Sequence, residues 1–187
     1  MKAVLFALLA ALSVHGDRFA VDGQDRFLVF VSYFDGLHRP TADLIDHDLQ
    51  YLKDKGVDGI RVFPDWHAPR LLDESGGVNR ERLDRLLTLV ERAERKDMMV
   101  DLSFDPKLPQ IKNVDHFREG NDGAGGLKKI AAALREAGRR NVIIDVCNEW
   151  DLNCGAFGVA GMQGIKDAIK AVDPDRLVVV SARAEDQ

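Results

Sequence analysis

Cysteine is nearly missing from this chain of 187 residues: there are two, Cys147 and Cys154. Two cysteines cannot build the disulfide framework of a small secreted scaffold, and their flanks do not form a zinc site. Pairing is open to them only if the chain is exported, and the residues read more simply as two free thiols. Cys147 lies on a predicted strand and packs there as a small apolar group. An excess of positive charge is also lacking, since 26 basic residues face 31 acidic ones for a net charge of −5. A nucleic-acid binder would carry a basic patch, so no nucleic-acid partner is expected. No run of like charge marks a tail or a polybasic membrane contact. Long hydrophobic runs are limited to one, Ala3 to Leu12, too short to span a bilayer comfortably.

That run belongs to "MKAVLFALLAALSVHG", where one early lysine precedes the apolar stretch and small or polar residues follow it. This is the layout of a secretory signal peptide over residues 1–16, with cleavage after Gly16, which predicts a secreted or periplasmic protein. The other reading is an apolar N-terminal helix packed on the domain or anchoring it. Residues 17–187 then form one domain, long enough for a substantial core.

What is present is a rhythm. "FAVDGQDRFLVF" reads as two short strands around an Asp22-Gly23 turn. Strand-like runs follow at 26–34, 59–66, 98–104, 142–149 and 176–182. Between them lie helical patterns at 41–56, 79–97, 127–141 and 162–175. Their apolar faces are Leu44, Ile45, Leu49 and Leu52 in the first, Leu83, Leu86, Leu87 and Val90 in the second, and Ile130, Ala131 and Leu134 in the third. The glycines of "GNDGAGG" (120–126) read as a loop tip. Met98 and Met99 read as core filling. Strands alternating with helices predict a parallel sheet covered by helices.

Two architectures share that pattern. A doubly wound open sheet is complete at five strands but predicts a glycine-rich phosphate loop after the first. Here the first strand is followed by "DGLHRPTAD", which has no such fingerprint. A (β/α)₈ barrel needs eight strands in about 250 residues and gathers its functional residues at the carboxyl ends of the strands. The strand ends carry Tyr33, Phe34 and Asp35; Asp65, Trp66 and His67; Ser103, Phe104 and Asp105; and Asn148, Glu149, Trp150 and Asp151. Each set supplies an aromatic beside polar groups, which suits sugars, whose rings offer flat apolar faces fringed by hydroxyls. The predicted fold is therefore an incomplete (β/α)₈ barrel of about five βα units behind an N-terminal β-hairpin.

Glu149 ends a predicted strand whose first residues are mostly apolar, Val142, Ile143, Ile144 and Val146 among them. Loss of water disfavours the charged form of a carboxyl group, and a carboxyl kept protonated near neutral pH serves as a general acid. Glu149 would then protonate a departing glycosidic oxygen, while the Asn148 amide donates to a sugar hydroxyl or to a second carboxylate. The plainer alternative is that Glu149 is the first solvated residue after a strand.

"DVCNEW" at the fourth strand resembles the Asn-Glu signature of clan A glycoside hydrolases, retaining (β/α)₈ enzymes, most of all the cellulase and mannanase group called family 5. "FAVDGQDRFLVFVSYFDGL" and "GVDGIRVFPDW" are similar to the opening hairpin, first strand and second strand of such enzymes. The resemblance runs over about residues 17–184. It implies Glu149 as acid/base, Asn148 as its partner asparagine and Arg61 as the arginine that orients the nucleophile. Trp66, Phe34 and Trp150 are the candidate sugar-binding aromatics, and neither cofactor nor metal is implied. Many family members carry a histidine near the end of the third strand, where "DLSFDP" has none.

Retaining hydrolysis needs two carboxyl groups roughly 5–5.5 Å apart. The family's nucleophile is a glutamate ending the seventh strand, which places it beyond residue 187 and predicts that this chain alone is poorly stable and inactive. Glu185 reads as a solvated tail residue, and the resemblance gives the role to neither Asp105 nor Asp151. Two other functions compete. Asp65, His67, Asp105 and Glu149 would make the oxygen-rich site of a metal-dependent barrel, and a half barrel with an aromatic rim would bind carbohydrate without cleaving it.

Overall fold

The computed structural model of the protein describes residues 12–73, 77–104, 123–153 and 158–182. The Asp22-Gly23 dipeptide forms the predicted turn, with φ of 52° and 78° at its two residues. Two successive positive φ angles match the right-handed twist of a tight hairpin, which Asp-Gly adopts at low cost. The turn joins β2 (Arg18–Val21) to β3 (Gln24–Asp25). β2 also pairs antiparallel with β1 (Leu12–His15), so the hairpin is a three-stranded sheet that takes in residues assigned above to the leader.

The rest of the chain alternates as predicted. Strands β4 (Phe30–Ser32), β5 (Gly59–Val62), β6 (Met99–Ser103), β7 (Val142–Asp145) and β8 (Leu177–Val179) form a second sheet. Its order is β4-β5-β6-β7-β8 and every pairing is parallel. A doubly wound sheet would reverse direction at a switch point, and this one does not. The strands are shorter than their apolar runs. Pairing stops where the chain bends toward the rim, and Asn148 and Glu149 lie in the turn beyond β7.

The intervening helices are α1 (Ala42–Asp54), α2 (Arg80–Glu94), α3 (Gly123–Glu136), a single turn α4 (Trp150–Asn153) and α5 (Gly158–Val172). Thr41 and Asn79 cap α1 and α2, accepting from the Leu44 and Arg82 amides at 3.3 and 3.2 Å. Gly56, with φ 81°, ends the α1 region. The start of α3 departs from the sequence reading, because Gly123, Gly125 and Gly126 are helical and not a loop tip. Each glycine costs up to about 1 kcal/mol in a helix. Fully burying Leu127, Ile130 and Leu134 on the same helix returns about 1.5–3 kcal/mol each. Packing overrides propensity there.

Alternation along the strands sorts the residues between two faces. Ile60, Val62, Val100, Leu102, Val142 and Ile144 join the core formed with Leu86, Leu89, Leu134 and Ile165 of the helices. Met98 is fully buried and Met99 4% exposed, as core filling requires. Leu44, expected inward, is 44% exposed, because α1 turns Ile45 and Leu49 to the core instead. The opposite face carries Ser32, Arg61, Asp101, Ser103 and Asp145, which share register across the parallel pairs. Gly59 on that face has no room for a side chain: a Cβ there would lie 2.4 Å from the Phe30 ring and 2.8 Å from the Met99 carbonyl. No helix among the described residues is long and apolar enough to cross a membrane.

Candidate active site

Arg61 is the centre of the polar face. Its Nε donates to Ser103 Oγ at 2.6 Å and lies 3.2 Å from Asp101 Oδ2. Its Nη2 donates to Asp145 Oδ2 at 2.6 Å, Ser181 Oγ at 2.7 Å and Asn148 Oδ1 at 3.1 Å. A guanidinium is a rigid fork of donors, so partners from β6, β7 and the end of β8 fix its plane. Asp145 is fully buried and also accepts from the Cys147 and Ser181 amides at 3.1 and 3.2 Å. Two carboxyl groups thus share one guanidinium in a dry setting. Burial, reinforced by the neighbouring Asp145 charge, pushes Asp101 up from 3.8 to about 6, against the opposing pull of Arg61 and Ser103.

The arginine connects to two parts of the rim. Through Asn148 it reaches the turn that carries Glu149. Glu149 is half-buried, and no group among the described residues hydrogen-bonds its carboxyl. Its backbone is left-handed, with φ 49°, a conformation that costs an L-residue of order 1–2 kcal/mol. The Glu149 and Trp150 amides donate to Ser181, the first to Oγ at 3.2 Å and the second to the carbonyl at 2.8 Å.

On its other side Arg61 lies over the Phe63 ring, 5.1 Å from its centre. Phe34 stacks on Phe63 at 4.8 Å, and Trp66 completes the cluster at 4.9 and 4.7 Å from the two rings. Phe63 is buried, whereas Phe34 and Trp66 are 39% and 36% exposed. The cluster therefore presents an apolar surface beside the arginine. Asp35 and His67 stand at its margin, 3.9 Å apart.

Other rim residues do different work. Tyr33 turns toward α1, where its hydroxyl donates to Asp48 at 2.6 Å; burial and that carboxylate push it up to about 12. Phe104 is core. Trp150 packs partly against the core instead of joining the Phe34–Trp66 cluster. Asp65 is buried under its own loop, accepting from the Leu72 amide at 2.9 Å. Asp105 and Glu185 lie outside the described residues. Cys147 corrects the reading of two free thiols, because it is disulfide-bonded. Cys154, the second cysteine of the chain, lies outside the described residues. The structure brings Arg61 and Asn148, both singled out in the sequence, together with Ser103 from the third strand end, and adds Asp101, Asp145 and Ser181, which the sequence reading did not single out. The i, i+2 spacing of Asp101 to Ser103 was the available signal, and Asp145 stood alone within a run that otherwise reads as apolar.

A sequential parallel sheet with helices on one face and converging polar side chains on the other is part of a (β/α)₈ barrel, with its site at the carboxyl rim. The sequence profile of Cellulase (glycosyl hydrolase family 5) matches residues 33–184, and the chain belongs to that family. Solved structures share the fold. The endo-1,4-β-mannanase of Rhizomucor miehei superposes with a TM-score of 0.69 at 14% identity, over 95% of this chain and 64% of its own. The β-mannanase of the blue mussel Mytilus edulis gives 0.67 at 17%, over 93% and 64%. A GH5_18 protein of Streptomyces cattleya in complex with GlcNAc gives 0.62 at 21%, over 84% and 45%. The chain thus spans between 45% and 64% of the length of these structures. No curated protein matches it.

Proposed function

We propose that the chain supplies the acid/base half of a retaining glycosidase site acting on a β-1,4-linked hexose chain, with mannan the first candidate because two fold neighbours are named β-mannanases. Glu149 protonates the glycosidic oxygen as the bond breaks and then, as carboxylate, takes a proton from the water that releases the sugar. Asn148 and Arg61 orient the reacting groups, and Phe34 and Trp66 stack on a sugar ring. The observation that carries this reading is the hydrogen bond from Arg61 to Asn148, one residue before Glu149, at the carboxyl end of β7.

The attacking carboxylate is proposed to come from outside these 187 residues. Asp101 and Asp145 are engaged by Arg61 and Ser103 and are not free to attack a sugar carbon. The chain alone then binds saccharide without cleaving it. Export is part of the proposal, supported by the leader pattern and by the oxidised state of Cys147. N-terminal sequencing of protein recovered outside the cell, starting at Asp17, would support it; a start at Met1 would count against it.

The test of the main reading is titration of the purified chain with β-1,4-mannotetraose, following tryptophan emission. The chain has two tryptophans, Trp66 and Trp150, so single replacements assign the signal. A saturable change lost in Trp66→Ala and retained in Trp150→Phe is expected, without hydrolysis. Turnover abolished by Glu149→Gln would show that the second carboxyl is within this chain. No response to either mannotetraose or cellotetraose would remove the sugar reading.

A further inference from the structure

The Ser181 hydroxyl sits where three parts of the site meet. Its Oγ accepts from Arg61 Nη2 at 2.7 Å and from the Glu149 amide at 3.2 Å, and it donates to Asp145 Oδ2 at 2.7 Å. A hydroxyl has one proton and two lone pairs, so every capacity of this group is used and its rotor has one setting. A residue chosen only to finish the strand would need none of these contacts. The backbone bonds of Ser181, to the Trp150 amide at 2.8 Å and the Cys147 carbonyl at 3.4 Å, are open to any amino acid. Only the Oγ contacts require serine or threonine.

Those contacts fall where the chain is strained. Glu149 holds a left-handed φ of 49° without being glycine, and such a conformation persists only where the surroundings enforce it. Three successive amides are gripped: Asn148 by the Phe104 carbonyl at 2.7 Å, Glu149 by Ser181 Oγ and Trp150 by the Ser181 carbonyl. The middle grip is the one made by a side chain, and the same oxygen holds the arginine.

We propose that Ser181 is a positioning residue for Glu149, tying the Glu149 backbone and the Arg61 guanidinium to one oxygen so that carboxyl and cation keep a fixed relation at the sugar site. This rests on the acid/base reading of Glu149 given above. Asp145, buried behind the pair, sets the direction of the serine proton and thereby leaves the lone pairs facing Glu149 and Arg61.

Ser181→Ala removes the Oγ contacts and keeps the backbone ones, and Ser181→Thr restores the hydroxyl. Amide hydrogen exchange read by NMR on the 187-residue chain separates positioning from loss of stability. The Glu149 amide is expected to exchange about tenfold faster in the alanine variant, the loss of one hydrogen bond to a neutral acceptor. The Trp150 amide should keep its rate, and threonine should return Glu149 toward the parent value. Equal acceleration of both amides, or of neither, would overturn the proposal. Calorimetric titration with β-1,4-mannotetraose gives the second readout: affinity falls about tenfold in Ser181→Ala and returns in Ser181→Thr. An affinity unmoved by alanine is the contrary result. If the parent chain binds no saccharide, the acid/base reading fails, and the exchange rates still decide the role of Ser181.

Discussion

Replacing Asp65 by asparagine should flatten the pH dependence of stability. Asp65 is 1% exposed, and its Oδ2 has no hydrogen-bond partner among the described residues. Burial pushes the group from 3.8 to about 6, while the Leu72 and Leu71 amides and the Arg70 charge pull the other way. Between about pH 4 and pH 6 the folded chain therefore holds a proton that the unfolded chain has released. Stability falls as pH rises through that window; below it both states are protonated, and above it the loss is complete. A shift of about two units corresponds to ~3 kcal/mol. Asparagine keeps the acceptor for Leu72 and cannot ionise, but its NH₂ faces the position without a partner, at a cost of about 1–3 kcal/mol at every pH. The variant should thus be less stable than the parent at pH 4 and close to it, or above it, at pH 8. The stability difference between the two should change by ~3 kcal/mol across the range, or roughly 6–12 °C in Tm for a domain of this size. Asp101, also pushed to about 6 by burial, adds a second fall of the same sign, so the variant removes about half of the slope. Urea melts at pH 4, 5, 6 and 8 measure this. Parallel pH profiles for variant and parent would refute burial as the controlling effect.

Two further outcomes follow from the same physics. Arg61→Met leaves Asp145 fully buried without its guanidinium, and should destabilise the chain by about 3–5 kcal/mol in urea melts, with Arg61→Lys recovering part of the loss; unchanged stability would mean that the serines alone satisfy the carboxylate. Without reductant, iodoacetamide should leave Cys147 unmodified and a peptide map should find it linked to Cys154, whereas alkylation of the unreduced chain would contradict the oxidised state of Cys147.

The alternation of strands and helices was legible because each βα unit must bury one apolar helix face, and periodicity records that requirement directly. Arg61 was legible as a charge inside a strand, and Asn148-Glu149 as polar residues where a strand ends. The network around Arg61 was not. Asp101 and Ser103 lie two apart in one apolar run and Asp145 stands alone in another, and only the register of neighbouring parallel strands brings them to one guanidinium. Ser181 was hidden for the same reason, since a serine ending a strand carries no signal until its partners, 120 residues away in one case, are placed beside it. The glycine run at the start of α3 misled because local propensity is weaker than the packing of Leu127, Ile130 and Leu134. Trp150 looked equivalent to Trp66 in sequence, yet the turn after β7 directs it partly into the core.

The most direct measurement of the central claim is affinity labelling of Glu149 by a β-mannobioside bearing an epoxypropyl group in place of the leaving sugar. A site carboxylate oxygen attacks an epoxide carbon, the ring C–O bond opens, and the alkoxide takes a proton to leave a hydroxy ester. Peptide mapping by mass spectrometry should place that ester on Glu149, with protection by excess mannotetraose and no label at position 149 in Glu149→Gln. Label scattered over exposed carboxylates and indifferent to saccharide would contradict the assignment of Glu149 to a sugar site.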